Sequence, residues 1–430
     1  ALPIFNFIYS IDMASIYAMQ AREILDGRGW PTVELVLWLD NGFSTITSVP
    51  STISKSSHDS LELRDLEQRA GGLGVQKAVN NINQIIAPQL VGKDVLKQRD
   101  IDQFLIDLDG TVDKKKLGSN AILAVSQAVL KAGALSVGLP LYQYIQKKYQ
   151  LVSEINMPNC IITALDGGAY GGKNLDFREF FIIPASNMSV DKSIEMAVTL
   201  KQKIEDLLIR KGAIHSVGST GGFSPSLYKN TDAFELLIEA IKQSNYNFAQ
   251  DLFFGLNSAS YDLYEASKYR LRDNNEGMNS NDLLSLYKKM RENYKLIYIE
   301  DPFIEDEANK WQELVREIGK TTTIATCNGV SSRVSLINNG IKNQDFNAVV
   351  IKPKHLGTIS ETMESIKLVK DSKLDLIISQ SGGETNETLI VDLAVAVGAN
   401  YVKLGPLNRG ERIVKYNRLL EINREIQQIA

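Results

Sequence analysis

The sequence predicts an α/β protein in two parts: an α+β N-terminal domain followed by a closed α/β barrel. Three observations carry this. The chain opens with strand-like segments around an Asn-Gly turn at Asn41-Gly42. A helical pattern with short breaks follows, from about residue 70 to 148. Beyond it, short apolar runs alternate with amphipathic helices, and several runs close on a polar residue.

Residues 14–50 read as strands. In TVELVLWLDNGFSTITSV, β-branched and aromatic residues flank the Asn-Gly pair, the strongest short hairpin signal. Residues 51–60 (STISKSSHDS) form a polar, Ser-rich loop. VQKAVNNINQIIAPQL, RDIDQFLIDL and NAILAVSQAVLKAGALSV then carry the helical spacing. The later apolar runs are EFFIIP, DLFFGLN, LIYIED, TTIAT, AVVIK, LIIS and YVKL. Their polar residues Glu300, Thr326, Lys352, Gln380 and Lys403 are 26, 26, 28 and 23 positions apart. A strand, a helix and two loops need about that length, which implies parallel strands with helical crossovers. So many repeats favour a closed barrel over an open sheet, and in such barrels the chemistry sits at the C-terminal strand ends.

Composition narrows the function. Lys and Arg number 47 and Asp and Glu 51, so the net charge of −4 argues against binding nucleic acid through its phosphates. Hydrophobic residues at 44% and charged residues at 23% exclude general disorder. No apolar run approaches the roughly 18 residues of a membrane span. Two cysteines, Cys160 and Cys327, make no disulfide framework and point to a reducing compartment. Three histidines argue against a His-rich metal site. Residues 1–12 (ALPIFNFIYSID) are apolar but lack the basic start of a signal peptide. They read as a cover over the body of the protein, or as a docking segment.

Glu179, Glu300, Lys352 and Lys403 are expected to face one another across the barrel mouth. Lysines at strand ends beside carboxylates suit anion binding or proton abstraction next to a carboxylate. They suit a structural Lys–Glu network equally well. The glycine pairs at 71–72, 167–168, 171–172 and 221–222 match neither a Walker A sequence nor a dinucleotide fingerprint, and loop geometry accounts for them.

AREILDGRGWPTVEL, LELRD, DGTVDKKKLGSNAILAVS, VGSTGGFSP, IEDPFIED, IKPKHLGTISET, SGGETNETLIVDLAVAVGA and LNRGERIVKYNRLLEI follow one another along the chain. This succession resembles the enolase family, lyases that dehydrate 2-phosphoglycerate to phosphoenolpyruvate. The resemblance implies an N-terminal extension over residues 1–12, an enolase N-terminal-like domain over 13–148 and an eight-stranded barrel over 149–430. It also implies a mechanism in which a lysine removes a proton beside a carboxylate and Mg²⁺ stabilises the resulting dianion. Lys352 matches the base, Lys403 an anion-binding lysine and Glu179 a retained site carboxylate.

The match breaks at the chemistry. Mg²⁺ prefers carboxylate oxygens, and the three family carboxylates correspond to Asn257, Glu300 and Thr326, of which only Glu300 keeps its charge. Thr220 stands where a Glu assists the leaving hydroxyl. Gln380, Ser381 and Gly382 replace the His, the phosphate-binding Arg and the Ser of one motif. Tyr170 replaces a second His, Arg178 a Gln, and Trp30 an Asn. In the lid loop Ser54 survives, but the small residues around it do not.

The expectation is therefore an enolase-family protein with degenerate metal and catalytic sites, serving a structural or partner-binding role. The alternatives are a divergent active enolase with rerouted metal ligands, for which Asp262, Asp301 and Glu384 are nearby in sequence, and a relative acting on another acid. No cofactor is expected, or Mg²⁺ if the site is active. Lys352 and Lys403 are expected to pair with Glu179 and Glu300. The expected partners are other proteins or a larger assembly, possibly an enolase-type homodimer, with no nucleic acid and no membrane; the expected compartment is the cytoplasm. In that dimer Arg22 and Glu411 would pair, while Glu34 would meet Glu421 where the family has an Arg.

Overall fold

A computed structural model describes residues 14–51, 58–66 and 68–429. The segment 1–12 and Ser54 lie outside the described residues.

The chain opens with an antiparallel sheet of β1 (Ile16–Leu25), β2 (Pro31–Leu39) and β3 (Ser44–Ser48). Its second turn sits at Asn41-Gly42, where Gly42 takes a φ of 86° that a glycine tolerates. Alternate residues of β2 (Val33, Leu35, Leu37 and Leu39) are buried, the period-2 pattern of a strand with one covered face. The helix Ser119–Ser136 packs on that sheet. It is buried almost all round because the sheet covers one side and neighbouring helices the others. These elements share one hydrophobic core, separate from that of the barrel.

The barrel strands are β4 (Asn159–Asp166), β5 (Glu179–Pro184) and β6 (Leu252–Asn257), then, after a small sheet of β7 (Tyr264–Glu265), β8 (Lys268–Leu271) and β9 (Asn274–Met278), come β10 (Leu296–Glu300), β11 (Thr323–Thr326), β12 (Ala348–Ile351), β13 (Asp375–Ser379) and β14 (Tyr401–Gly405). They close in the order β10-β11-β12-β13-β14-β4-β5-β6. Side chains including Ile161, Phe181, Tyr298, Val350 and Ile377 fill the interior, and a larger apolar layer lies between strands and helices. Among the described residues no single helix is long and apolar enough to cross a membrane.

Two strand expectations need correction. NCIITALD, absent from the sequence series, is β4 and completes the eight strands. The expectation of parallel strands fails at β5, which is antiparallel to both neighbours. The link from β4 to β5 contains no helix, and a parallel return needs a crossover of a dozen or more residues, usually helical. The reversal explains why Glu179 begins its strand yet reaches the same mouth as residues that end theirs. Lys403 lies inside β14, while Lys352 and Gln380 follow the last residues of β12 and β13.

The N-terminal domain is pinned over this mouth. Ser51 and Gly383 exchange backbone hydrogen bonds of 2.7 and 3.0 Å. Glu387 accepts from Thr47 Oγ1 at 2.7 Å and from Lys131 at 2.9 Å. Trp30 stacks beneath the Arg28 guanidinium, 4.4 Å from its ring centre, while Arg28 bonds Asp26 and Ser51.

Candidate functional site

Strand register builds the site. Asp166 lies opposite Glu179, Glu179 opposite Asn257, and Asn257 opposite Glu300, so one row of polar residues crosses four neighbouring strands. A cavity opens above them. Its lining brings together Tyr170, Arg178, Glu179, Thr220, Asn257, Glu300, Lys352, Gln380, Ser381, Gly382 and Lys403, all of them residues singled out from the sequence. Asn328 joins them. Thr326 does not line the cavity; it is buried at the end of β11.

Lys403 is the centre of the charge pattern. Its ammonium donates to Glu300 Oε1 at 2.9 Å and Oε2 at 2.7 Å, and lies 3.5 Å from Glu179. Asn257 Nδ2 donates to Glu179 at 2.9 Å and to Glu300 at 3.3 Å. Tyr298 Oη adds 2.6 Å to Glu300, and Thr163 Oγ1 adds 3.0 Å to Glu179. Burial raises the Glu300 carboxyl, but Lys403 and Lys352 outweigh it and hold the group ionised. Burial likewise opposes the Lys403 charge and is overcome by Glu300 and Glu179.

The expectation that both lysines pair with carboxylates holds for Lys403 and fails for Lys352. Among the described residues the Lys352 ammonium forms no ion pair with an acid, and Cys327 is its near neighbour. Burial works against its charge, and the Glu300 carboxylate acts in the opposite sense. Burial pushes the Cys327 thiol up to about 12, so it stays neutral.

Other candidate side chains are already engaged. Thr220 Oγ1 bonds both oxygens of buried Asp166, at 2.7 and 2.8 Å. Gln380 is held by Arg412, which also donates to the carbonyls of Ser381 at 2.9 Å and Gly382 at 2.7 Å. Arg412 is fully buried. Gly405, at φ 83°, leaves room for the Gln380 amide, which a Cβ would meet at 2.1 Å. Arg178 lies between the rings of Tyr170 and Tyr261, 5.2 and 5.0 Å from their centres, and pairs with Asp262.

These partners decide the fit to Mg²⁺, and the residues do not fit. One carboxylate, one amide and one hydroxyl occupy the three family positions, and both oxygens of the carboxylate carry an ammonium. Asn257 turns its nitrogen, not its oxygen, toward the acids, leaving Oδ1 buried without a partner. The sequence-proposed replacements are committed elsewhere: Asp262 to Arg178, Glu384 to Lys415 at 3.1 Å. Asp301 and Cys327 do gather near Glu300, with ligand atoms within 4.8 Å of one another. But Asp301, in the left-handed region at φ 48°, turns back to accept from the backbone of Cys327 at 2.8 Å and of Asn328 at 3.3 Å.

Sequence reasoning missed Arg412, Tyr298 and Asp166. Arg412 and Asp166 carried a signal, because each is a charged residue inside a family-like motif or an apolar run. Tyr298 reads only as a strand aromatic.

An eight-stranded barrel with an antiparallel second strand, capped by an α+β domain and carrying lysines and carboxylates at its mouth, defines a class of two-domain α/β barrel proteins. Within it the chain belongs to the enolase family. The model for the enolase C-terminal TIM barrel domain matches residues 154–430, and that for the enolase N-terminal domain matches residues 16–145. The chain is similar to a protein named Enolase from Ehrlichia chaffeensis, 38% identical over 411 residues, covering 95% of this chain and 96% of that one. It is 38% identical over 413 residues to Enolase from Ehrlichia canis, covering 96% and 97% of the two. Enolase 1 from Methylococcus capsulatus is 37% identical over 419 residues, covering 97% and 99%.

Proposed function

We propose that this chain keeps the enolase framework as a structural or partner-binding protein and does not turn over 2-phosphoglycerate. One observation carries the reading: the Lys403 ammonium neutralises Glu300, the only ionised group at the three family metal positions. Proton abstraction is also disfavoured. A general base works best with a proton affinity near the operating pH, and the Glu300 carboxylate favours the charged form of Lys352. Thr220, tied to Asp166, offers no acid to a leaving hydroxyl. Losing one general acid or base costs about 10²–10⁴ in rate, and the missing parts act as a unit. Two free buried cysteines accord with a cytoplasmic setting.

A second reading, a divergent active enolase of glycolysis using Mg²⁺, is favoured by the full-length identity to proteins named Enolase and by the retention of Glu179, Glu300, Lys352 and Lys403. In that reading a metal ion has to displace Lys403 from Glu300. The deciding experiment is turnover of 2-phosphoglycerate by the purified chain with Mg²⁺, followed by the ultraviolet absorbance of phosphoenolpyruvate. The expected result is no product above background. Turnover that disappears in Lys352→Ala establishes the second reading instead.

A further inference from the structure

We propose that a groove at the far end of the barrel, opposite the mouth, binds a small organic acid. Its carboxylate head meets Arg291 and Lys295, and its apolar body lies on Phe253 and Ile297. The groove is independent of the chemistry at the mouth.

The floor is built by strand starts. Phe253 is the second residue of β6, and Leu296 and Ile297 open β10, so they lie at the end away from Asn257 and Glu300. The register between the two strands slips there. Leu296 lies opposite Phe254 and Tyr298 opposite Gly255, which leaves Ile297 as an extra residue. Such a residue interrupts the ladder and re-aims its side chain. Ile297 packs against the core inside the barrel, yet both it and Phe253 stay half-buried. The open space beside them is about 250 Å³. A single water needs about 10–15 Å³ of such space, so the groove has room for a molecule of several heavy atoms.

The cations are set beside this floor. Arg291, in the last turn of the helix Ser280–Tyr294, and Lys295, at its left-handed C-cap (φ 49°), line the groove with Leu296 and Thr321. Thr321 Oγ1 accepts from Arg291 Nη2 at 2.6 Å and donates to the Ile318 carbonyl at 3.3 Å, which fixes one edge of the guanidinium. Among the described residues neither Arg291 nor Lys295 forms an ion pair. No acid lines the groove. Acids on the surrounding elements face other groups. Asp251 accepts from the backbone of Asn247 at 2.7 Å, Glu235 from Tyr294 Oη at 2.8 Å and Asp375 from Thr323 at 3.1 Å. Glu317 pairs with Lys288, and exposed Glu292 lies near that same lysine. The helix dipole alone favours cations at a helix C-terminus, but it does not call for an uncovered aromatic and aliphatic floor beside them. A guanidinium presents a planar fork that matches a carboxylate, and the floor removes the carbon skeleton from water.

The test uses the purified full chain and three probes: benzoate, its neutral counterpart benzamide, and acetate. Binding is read by equilibrium dialysis and by the rise of the melting temperature through mass action. The expected result is one benzoate per chain, with benzamide and acetate each weaker by about tenfold or more. Arg291→Gln is expected to weaken benzoate by about tenfold or more, the loss of a charge-assisted bond. Lys295→Gln, at an exposed side chain, acts in the same direction and is the second variant if the first does not fold. Benzamide binding as tightly as benzoate overturns the role of the cations, and acetate doing so overturns that of the floor. No benzoate binding, or an affinity unchanged in both variants, overturns the site.

Discussion

Lys403 Nζ meets both oxygens of Glu300, at 2.9 and 2.7 Å, inside the barrel and out of reach of bulk water. A tethered ammonium thus supplies positive charge beside the acid that the family uses to hold a metal. Glu179 and Asn257 complete the network from β5 and β6, so four strands are tied at the mouth by side chains as well as by their ladders.

Breaking that network by halves is costly. Removing one partner of a buried pair leaves an uncompensated charge, at about 3–5 kcal/mol. Lys403→Met is expected to lose stability of that order in urea unfolding, while Lys403→Met combined with Glu300→Gln recovers much of the loss. A single variant as stable as the wild type means that the lysine is solvated.

Metal binding follows from the same charges. The wild-type chain is expected to give no Mg²⁺ isotherm at millimolar concentration. Restoring two carboxylates with Asn257→Asp and Thr326→Asp sets three acids against Lys403 and is expected to create a measurable site. A micromolar Mg²⁺ site in the wild type that vanishes in Glu300→Gln contradicts the charge argument.

Asp166 gives a pH signature. It is wholly buried, and burial, with a contribution from Glu179, pushes its carboxyl up to about 6 despite bonds from Thr220 and Gly222. A folded pKa raised above the ordinary 3.8 favours the protonated acid in the fold. Its contribution is therefore fully present below about pH 4 and is lost as the pH rises through about 6. Asp166→Asn cannot ionise. Its stability relative to wild type is expected to rise across that window by up to about 3 kcal/mol and to level off above it. A difference independent of pH, measured by urea unfolding from pH 4 to 8, refutes this.

Much of this site was legible because barrel strands repeat at near-constant spacing and place their polar ends on one rim. That repetition led to Glu300, Lys352, Gln380 and Lys403. It did not reveal that β5 runs backward, since EFFIIP reads the same in either direction; the helix-free link 167–178 was the available clue. Side-chain pairing was less legible. Lys352 and Lys403 both sit near acids in the strand pattern, yet Lys403 takes Glu300 while Lys352 is left beside Cys327. Likewise Gln380 gives no sign in sequence that Arg412, 32 positions later, holds its amide.

The charges expected to meet in an enolase-type dimer are already paired within the chain. Arg22 and Glu34 stand opposite each other in the β1–β2 register and bond at 2.5 Å. Glu411 packs against Gly27, where a Cβ would meet its carboxyl carbon at 2.2 Å. Glu421 bonds Arg418 at 2.7 Å, and Arg418 also holds buried Asp392 at 2.6 Å. In an enolase-type dimer, Arg22 would have to leave Glu34 for the partner's surface. Glu34, freed of its arginine, would then confront Glu421. Exposed pairs contribute only about 0–1 kcal/mol each, so the exchange gains little, while like charges across an interface repel. The expected outcome is a weak dimer that dissociates at nanomolar concentration, seen by light scattering at higher concentrations and by fluorescence-detected sedimentation below them. Glu421→Arg restores an opposite charge for Glu34 and is expected to tighten association. Added salt screens the Glu34–Glu421 repulsion, so it should strengthen the wild-type dimer and weaken that of the variant. A tight wild-type dimer indifferent to both changes would place the interface on another surface.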